Sequence, residues 1–282
     1  MTAHSRSDEA FRSRGRPADP KISIVVPAMN EARNLEVMLP LLPDAHPGVH
    51  EVILVDGGSV DGTIETARRV LPDIRVFQQA RRGKGNALAT GFAEVTGDIV
   101  VMFDADGSAD PDEIPAFVDA LLAGADFAKG SRFMAGGGSA DITPIRKLGN
   151  EFLNTVMNRA FRTAFSDLCY GYNAFWADQL PLLDLPEHTK PGPVSGTMLW
   201  GDGFEIETVI NCRFAAGGVR ITEVPSVEKL RMFGESNLHA VKDGMRVLRT
   251  VRTEHMRARQ ERATRRVEGA RRDDSNVVRI AS

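Results

Sequence analysis

Asp104 and Asp106 stand one residue apart at the end of an apolar run, Ile99-Val100-Val101-Met102-Phe103. Bounded by Gly97-Asp98 and Gly107, the run reads as a fully buried strand. Carboxylates this close raise each other's pKa and cost stability unless a positive charge compensates them. Hard carboxylate oxygens suit a divalent cation, Mg2+ or Mn2+. Asp104 and Asp106 are therefore the candidate metal ligands. The alternative is a solvated loop whose acids merely end the strand.

Other residues could share that chemistry. Asp56 follows the apolar run Val52-Ile53-Leu54-Val55, and it could accept from the imide edge of a nucleobase or simply close a turn. Gly83-Lys84-Gly85 opens a helical stretch, where backbone N–H groups and one lysine could hold a diphosphate. Neither glycine cluster has the spacing of a dinucleotide fingerprint or of a phosphate loop, which disfavours nicotinamide enzymes and P-loop NTPases. Arg132, Arg146, Lys147 and Arg231 are candidate phosphate contacts, because a guanidinium fork can bind two oxygens. Asp167 precedes the aromatic spot Cys169-Tyr170-Gly171-Tyr172 and is a candidate base or acceptor-positioning residue. Glu205 and Glu207 rank lower, since acids at a helix start are commonly only dipole partners. The histidines show no metal spacing.

Elements must position these groups. Strands are expected at Ile22–Val26, Val52–Val55, Ile74–Phe77 and Ile99–Phe103, separated by helices near 31–42 and 83–95 and by one that Asp61 or Thr63 can cap. Single helices between strands imply right-handed βαβ units and a mostly parallel sheet. Ligands collect beyond the carboxyl ends of such strands, so residues 27–31, 56–59 and 104–108 should line one crevice. Further on, helices are expected near 145–165, 203–216 and 237–266, with an edge strand at 219–224. The expected organisation is a disordered tail over 1–20, one catalytic α/β domain over 21–238, a helical extension over 239–266 and a disordered tail over 267–282.

The chain has 282 residues, of which 42% are hydrophobic, enough for a large α/β core. Aromatics are scarce at 6%, and no basic-aromatic patch supports nucleic-acid binding. Cys169 and Cys212 lie far apart, which favours a reducing compartment. No apolar run reaches the length of about 18 residues that a membrane span needs. The expectation is a cytoplasmic protein. The arginines at 252, 257, 259, 262, 265, 266, 271 and 272 are a candidate peripheral contact with the inner membrane face, against the alternative of a solvated helix.

The motifs resemble a known family. Ile24-Val25-Val26-Pro27-Ala28-Met29-Asn30-Glu31, Val55-Asp56-Gly57-Gly58-Ser59-Val60-Asp61-Gly62-Thr63, Gly83-Lys84-Gly85-Asn86-Ala87 and Asp104-Ala105-Asp106 resemble, in order, the motifs of family 2 glycosyltransferases of the GT-A fold. Gly130-Ser131-Arg132-Phe133, residues 167–175, Gly203-Phe204-Glu205-Ile206-Glu207 and residues 231–238 resemble the dolichol- or polyprenyl-phosphate hexose synthase branch. The resemblance implies a Rossmann-like nucleotide-diphospho-sugar domain. It implies a nucleotide-sugar site at Pro27, Ala28, Asn30, Glu31, Asp56, Gly58, Lys84, Asp104, Ala105, Asp106 and Arg231, the last on a mobile segment. It places Arg132, Arg146 and Asn150 at the acceptor phosphate, and catalysis at Asp104, Asp106, Arg132 and Asp167. Two departures stand out. Ser108 occupies a position where the branch often has a metal-binding Gln. Arg231-Met232-Phe233-Gly234-Glu235-Ser236-Asn237 lacks the histidine and lysine of the R-x-H-G-x-S-K pattern.

The implied chemistry is inverting displacement at the anomeric carbon of a UDP- or GDP-hexose, aided by Mg2+ or Mn2+. A phosphate acceptor is already ionised; a hydroxyl on a soluble acceptor needs a base, for which Asp167 is the candidate. Two rivals remain from the residues alone. Phe103-Asp104-Ala105-Asp106-Gly107-Ser108 also resembles the nucleophile motif of haloacid-dehalogenase-type phosphatases, although no later strand ends in paired acids. A sugar-nucleotide binding module without catalysis is the third reading.

Overall fold

The computed structural model describes residues 15–140, 142–192, 198–234 and 240–280. Its elements run β1 (Ile22–Ala28), α1 (Ala32–Met38), β2 (Val49–Asp56), α2 (Thr63–Val70), β3 (Arg75–Gln78), α3 (Lys84–Ala93), β4 (Ile99–Met102), α4 (Ile114–Leu122), β5 (Phe127–Ser131), β6 (Gly138–Ser139), α5 (Pro144–Phe161), β7 (Asn173–Trp176), α6 (Leu180–Leu183), α7 (Ile206–Gly217), β8 (Ile221–Pro225), β9 (Val227–Glu228) and α8 (Ala240–Ile280).

Among the described residues seven strands form the main sheet, in the order β3-β2-β1-β4-β7-β5-β8. β1 pairs in parallel with both β2 and β4, and β2 with β3. β7 runs antiparallel between β4 and β5. The mostly parallel sheet is the expected one. β5 and β7 go beyond the expected strands: each is only four or five residues long and too short to show a period of its own.

Successive side chains on a strand face opposite ways, so each central strand feeds two cores. Ile24, Val26 and Val101 pack with Leu35 and Met38 of α1 and with Phe117 and Leu121 of α4. Val25, Val100 and Met102 pack on the other face with Leu88 and Phe92 of α3 and Ile206, Ile210 and Phe214 of α7. A third cluster joins Leu153, Met157 and Phe161 of α5 to Cys212 of α7 and Val251 and Ala258 of α8.

Both expected tails need correction. Arg16 is buried, pairs with Asp126 at 2.7 Å and Asp178 at 2.7 Å, and lies over the Trp176 ring. Ordered chain therefore starts before position 20. Residues 1–14 lie outside the described residues. At the other end α8 continues to Ile280, well past position 266. No helix among the described residues is long and apolar enough to cross a membrane.

Candidate active site

The three predicted strand ends do meet. Asn30, at φ 57°, takes the left-handed turn after β1, and its Oδ1 accepts from Val60 N at 2.9 Å. Glu31 N donates to Thr63 Oγ1 at 3.0 Å, and Asn30 N to Ser59 Oγ at 2.8 Å. These bonds stitch the loop after β1 to the loop after β2. Pro27 and Ala28 finish β1 opposite Val55 and Asp56, and Ala28 O accepts from Gly57 N. Asp56 is buried, and its Oδ2 accepts from Gly58 N at 2.9 Å and Ser59 N at 3.0 Å. It closes the turn and also lines a cleft of about 480 Å³ with Met29, Gly57, Gly58 and residues 78–82. No motif pointed to 78–82; the only available signal was their place at the carboxyl end of β3.

Beside the cleft sits a network of charges. Lys84 Nζ lies 2.6 Å from Asp104 Oδ1 and 2.6 Å from Glu207 Oε1. Arg231 reaches Asp106 Oδ2 at 3.1 Å and Glu31 Oε1 at 3.0 Å. Burial works against the charge on Lys84, but Asp104 and Glu207 outweigh it and hold the ammonium above its ordinary pKa. Burial raises the Asp104 pKa; Lys84 opposes that rise, and the Asp106 and Glu207 charges add to it. Gly171 leaves room here: a Cβ on it would sit 3.2 Å from Asp104 Oδ2 and 3.5 Å from Glu207 Oε1.

The segment carrying Arg231 crosses the loop that carries Asp104 and Asp106. Met232 N donates to Asp106 O at 3.2 Å, and Lys229 N to Ser108 O at 2.8 Å. Gly107 has φ +76°, and a Cβ on it would meet Met232 Cγ at 2.9 Å, so this crossing needs glycine. Phe233 bonds Asn34 through its backbone and lies under the Arg33 guanidinium. The rest of that motif, 235–239, lies outside the described residues. Ser108 serves the pair indirectly: its Oγ donates to Asp106 Oδ1 at 2.7 Å.

Two expectations change here. The α3 start is not an open cradle for a diphosphate, because Gly85 N and Asn86 N both donate to Asp202 O. Arg81 clamps the same residue, with Nε 2.7 Å from Asp202 Oδ2. Those two amides are engaged there, and the Lys84 side chain is the charged group that the start of α3 sends into the site. Glu207, ranked as a mere dipole partner, is instead a direct partner of Lys84. Glu205 does what a local capping acid does, accepting from Gly201 N and Gly203 N. The sequence signal for Glu207 was an acid on the first turn of a helix, which does not say what lies opposite.

A second group gathers around Arg132. Its Nε and Nη2 lie 2.7 and 3.0 Å from the two Asp167 oxygens, and Nη1 lies 3.0 Å from Glu228 Oε2. Asp167 is 0% exposed and also accepts from Arg132 N. Both oxygens are engaged by Arg132, a geometry that favours the positioning reading of Asp167 over the base. The second N–H on each Nη of Arg132 remains for an oxyanion. Asn150 is buried nearby, its Nδ2 on Ser166 O and its Oδ1 without a hydrogen bond among the described residues. Arg146 stands half-buried on the first turn of α5, whose start Thr143 caps. Behind them Lys129 is fully buried and donates to Tyr170 O and Gly130 O; burial pushes its pKa down to about 8.

The donor set fits a divalent cation. Four carboxylates (Asp104, Asp106, Glu207, Glu31) share two cations in the network, an excess of negative charge. Among the described residues no group of three or more His, Cys, Asp or Glu is arranged to hold a metal. Two carboxylates completed by water and ligand phosphates is the usual arrangement for Mg2+.

A family model described as glycosyl transferase family 2 matches residues 23–178. The dolichol-phosphate mannosyltransferase of Pyrococcus furiosus is 29% identical over 224 residues, which are 77% of this chain and 59% of that protein. The undecaprenyl-phosphate mannosyltransferase of Micrococcus luteus is 30% identical over 225 residues, 77% of this chain and 87% of that protein. Among solved structures, glucosyl-3-phosphoglycerate synthase of Mycobacterium tuberculosis, in complex with Mn2+, UDP-glucose and phosphoglyceric acid, superimposes with a TM-score of 0.62. It is 22% identical and covers 90% of this chain and 84% of that one, a likeness of fold. The chain has the GT-A fold and belongs to glycosyl transferase family 2.

Proposed function

We propose that this glycosyltransferase moves a hexose, with inversion, from a UDP- or GDP-sugar to polyprenyl phosphate. One observation carries the donor side: Asp104 and Asp106, with Lys84 and Arg231 on them, stand beside the cleft that Asp56 lines. The nucleoside would enter that cleft, with Glu31 and Gly58 at its edge. Asp104 and Asp106 would hold a Mg2+ or Mn2+ ion. When bound, the ion would neutralise charge on the departing diphosphate. Lys84 and Arg231 add fixed positive charge where the leaving group becomes more negative, and this stabilises the transition state electrostatically.

The acceptor side favours a phosphate. A hydroxyl acceptor needs a general base within hydrogen-bond reach, and buried Asp167 is committed to Arg132. A phosphate oxygen is already anionic and needs only positioning, which Arg132, Arg146 and Asn150 would supply. The relatives named for dolichol phosphate and undecaprenyl phosphate support a lipid phosphate. α5 adds a physical reason: it carries Arg146 and Asn150, and on its open face Ile145, Leu148 and Phe152 are 76%, 69% and 57% exposed. A prenyl chain leaving the phosphate would meet that stripe, with the protein resting on the cytoplasmic face of a membrane.

The test is a panel of UDP- and GDP-hexoses offered with polyprenyl phosphate in detergent or with soluble alcohols. Nucleoside diphosphate release matched by hexosyl polyprenyl phosphate supports the reading. Transfer to the alcohols alone overturns the acceptor, and phosphate release from simple esters restores the phosphatase rival.

A further inference from the structure

Each cation of the charge network touches one acid of the Asp104–Asp106 pair and one acid outside it. Lys84 bridges Asp104 and Glu207, each at 2.6 Å. Arg231 bridges Asp106 and Glu31, at 3.1 and 3.0 Å. The outside acids come from elements remote from the pair, Glu207 from the first turn of α7 and Glu31 from the residue before α1. A divalent ion arriving at the pair competes with both cations for the same carboxylate oxygens.

We propose that Glu207 is a positioning residue, an anchor that retains Lys84 when Asp104 passes from the ammonium to the divalent ion. Glu31 plays the same part for Arg231. The inference rests on the reading of Asp104 and Asp106 as the cation site. It adds a consequence that reading lacks. A divalent ion binding alone must break two ion pairs and leave Lys84 and Arg231 with one acid each. A nucleoside diphosphate supplies the missing oxygens, so ion and nucleotide bind with strong mutual cooperativity, reciprocal by linkage. Glu207 lowers the cost of the exchange by giving Lys84 somewhere to remain. Without it Lys84 would sit on Asp104 alone and hold it more tightly.

The experiment measures free Mn2+ by electron paramagnetic resonance while the full chain is titrated, with and without UDP or GDP. The proteins are wild type, Lys84→Met, Glu207→Gln and the double variant. In the absence of nucleotide Lys84→Met should bind Mn2+ roughly tenfold more tightly than wild type, the scale of one partly screened ion pair. Glu207→Gln should bind it roughly tenfold more weakly. In the double variant the Glu207 effect should largely vanish, because it acts through Lys84. Nucleotide should tighten Mn2+ binding in wild type and much less in Lys84→Met. An unchanged nucleotide-free affinity in Lys84→Met overturns the exchange. An equal loss from Glu207→Gln in both backgrounds overturns the anchor and makes Glu207 a plain neighbouring charge. If wild type binds no Mn2+ even with either nucleotide, the cation site itself fails, and the inference with it. Thermal melts identify the folded variants; if Glu207→Gln does not fold, Glu207→Asp takes its place, with weaker Mn2+ binding expected where Lys84 is present and no such loss beside Lys84→Met.

Discussion

Arg132 is the side chain whose surroundings say most about the acceptor. Three of its N–H groups are bound by Asp167 and Glu228, which holds the guanidinium in a fixed place. Asp167→Asn should therefore raise the acceptor KM while leaving the acid limb of the kcat/KM pH profile in place. A base at this position would instead lose that limb when changed to Asn. Asp167→Ala strands a buried guanidinium, and denaturant melts should show a loss of roughly 3–5 kcal/mol. Asp104→Ala and Asp106→Ala act the other way. Both acids are partly exposed at a loop, so transfer should disappear in an assay with Mn2+ while the melting temperature moves little. The pair itself was legible in the sequence, since paired acids rarely end a buried strand without a purpose. Glu207 was not, because its meaning lies in Lys84, more than a hundred residues earlier in the chain.

Elements hold these residues through contacts that a single sequence shows unevenly. β1, β2 and β4 were plain, as apolar runs closed by Pro27, Asp56 and Asp104. β7 was hidden because an antiparallel strand inserted between β4 and β5 leaves no period of its own in four residues. The α3 start shows the same limit. Its glycines read as a phosphate cradle, yet a Cβ on Gly85 would lie 1.7 Å from Gly201 O, so glycine is needed there for close packing against the 201–203 turn. Gly85→Ala should push that turn and Glu207 away from Lys84, with weaker nucleotide binding by calorimetry. Glu51 ties strands together: it accepts from Ser23 of β1, Thr96 and Arg75 of β3. Burial favours its neutral form, but those hydrogen bonds dominate and push its pKa down to about 2 from 4.5. A depressed carboxylate contributes stability that is present above the unfolded pKa and lost as pH falls through the folded one. Stability should fall between about pH 4.5 and pH 2 by up to about 3 kcal/mol from this group. Acid denaturation of Glu51→Gln should be correspondingly flatter over that range.

At the scale of the molecule, the cleft that Asp56 lines and the cluster around Arg132 follow the carboxyl ends of β2 and β5, and α5 and α8 pack together with α7. The arginine-rich helix divides into two parts. Up to Ala258 it belongs to the core: Glu254 is buried and pairs with Arg213 at 2.9 Å, and Trp200 donates to it. A truncation near Arg252 would therefore unfold the domain. A truncation after Thr264 spares that core, and co-sedimentation with anionic vesicles should fall if the arginines beyond it touch lipid; equal sedimentation assigns membrane contact to α5 instead. The proposed reaction, hexose transfer to a lipid phosphate, depends on Asp104 and Asp106. The most direct measurement is chromatographic detection of hexosyl polyprenyl phosphate, made by wild type and Asp106→Ala from a UDP- or GDP-hexose with Mn2+. The wild type should give product, inverted at the anomeric carbon and stopped by chelation, and Asp106→Ala should give none. Equal product from both proteins, or undiminished transfer after chelation, would contradict the proposal.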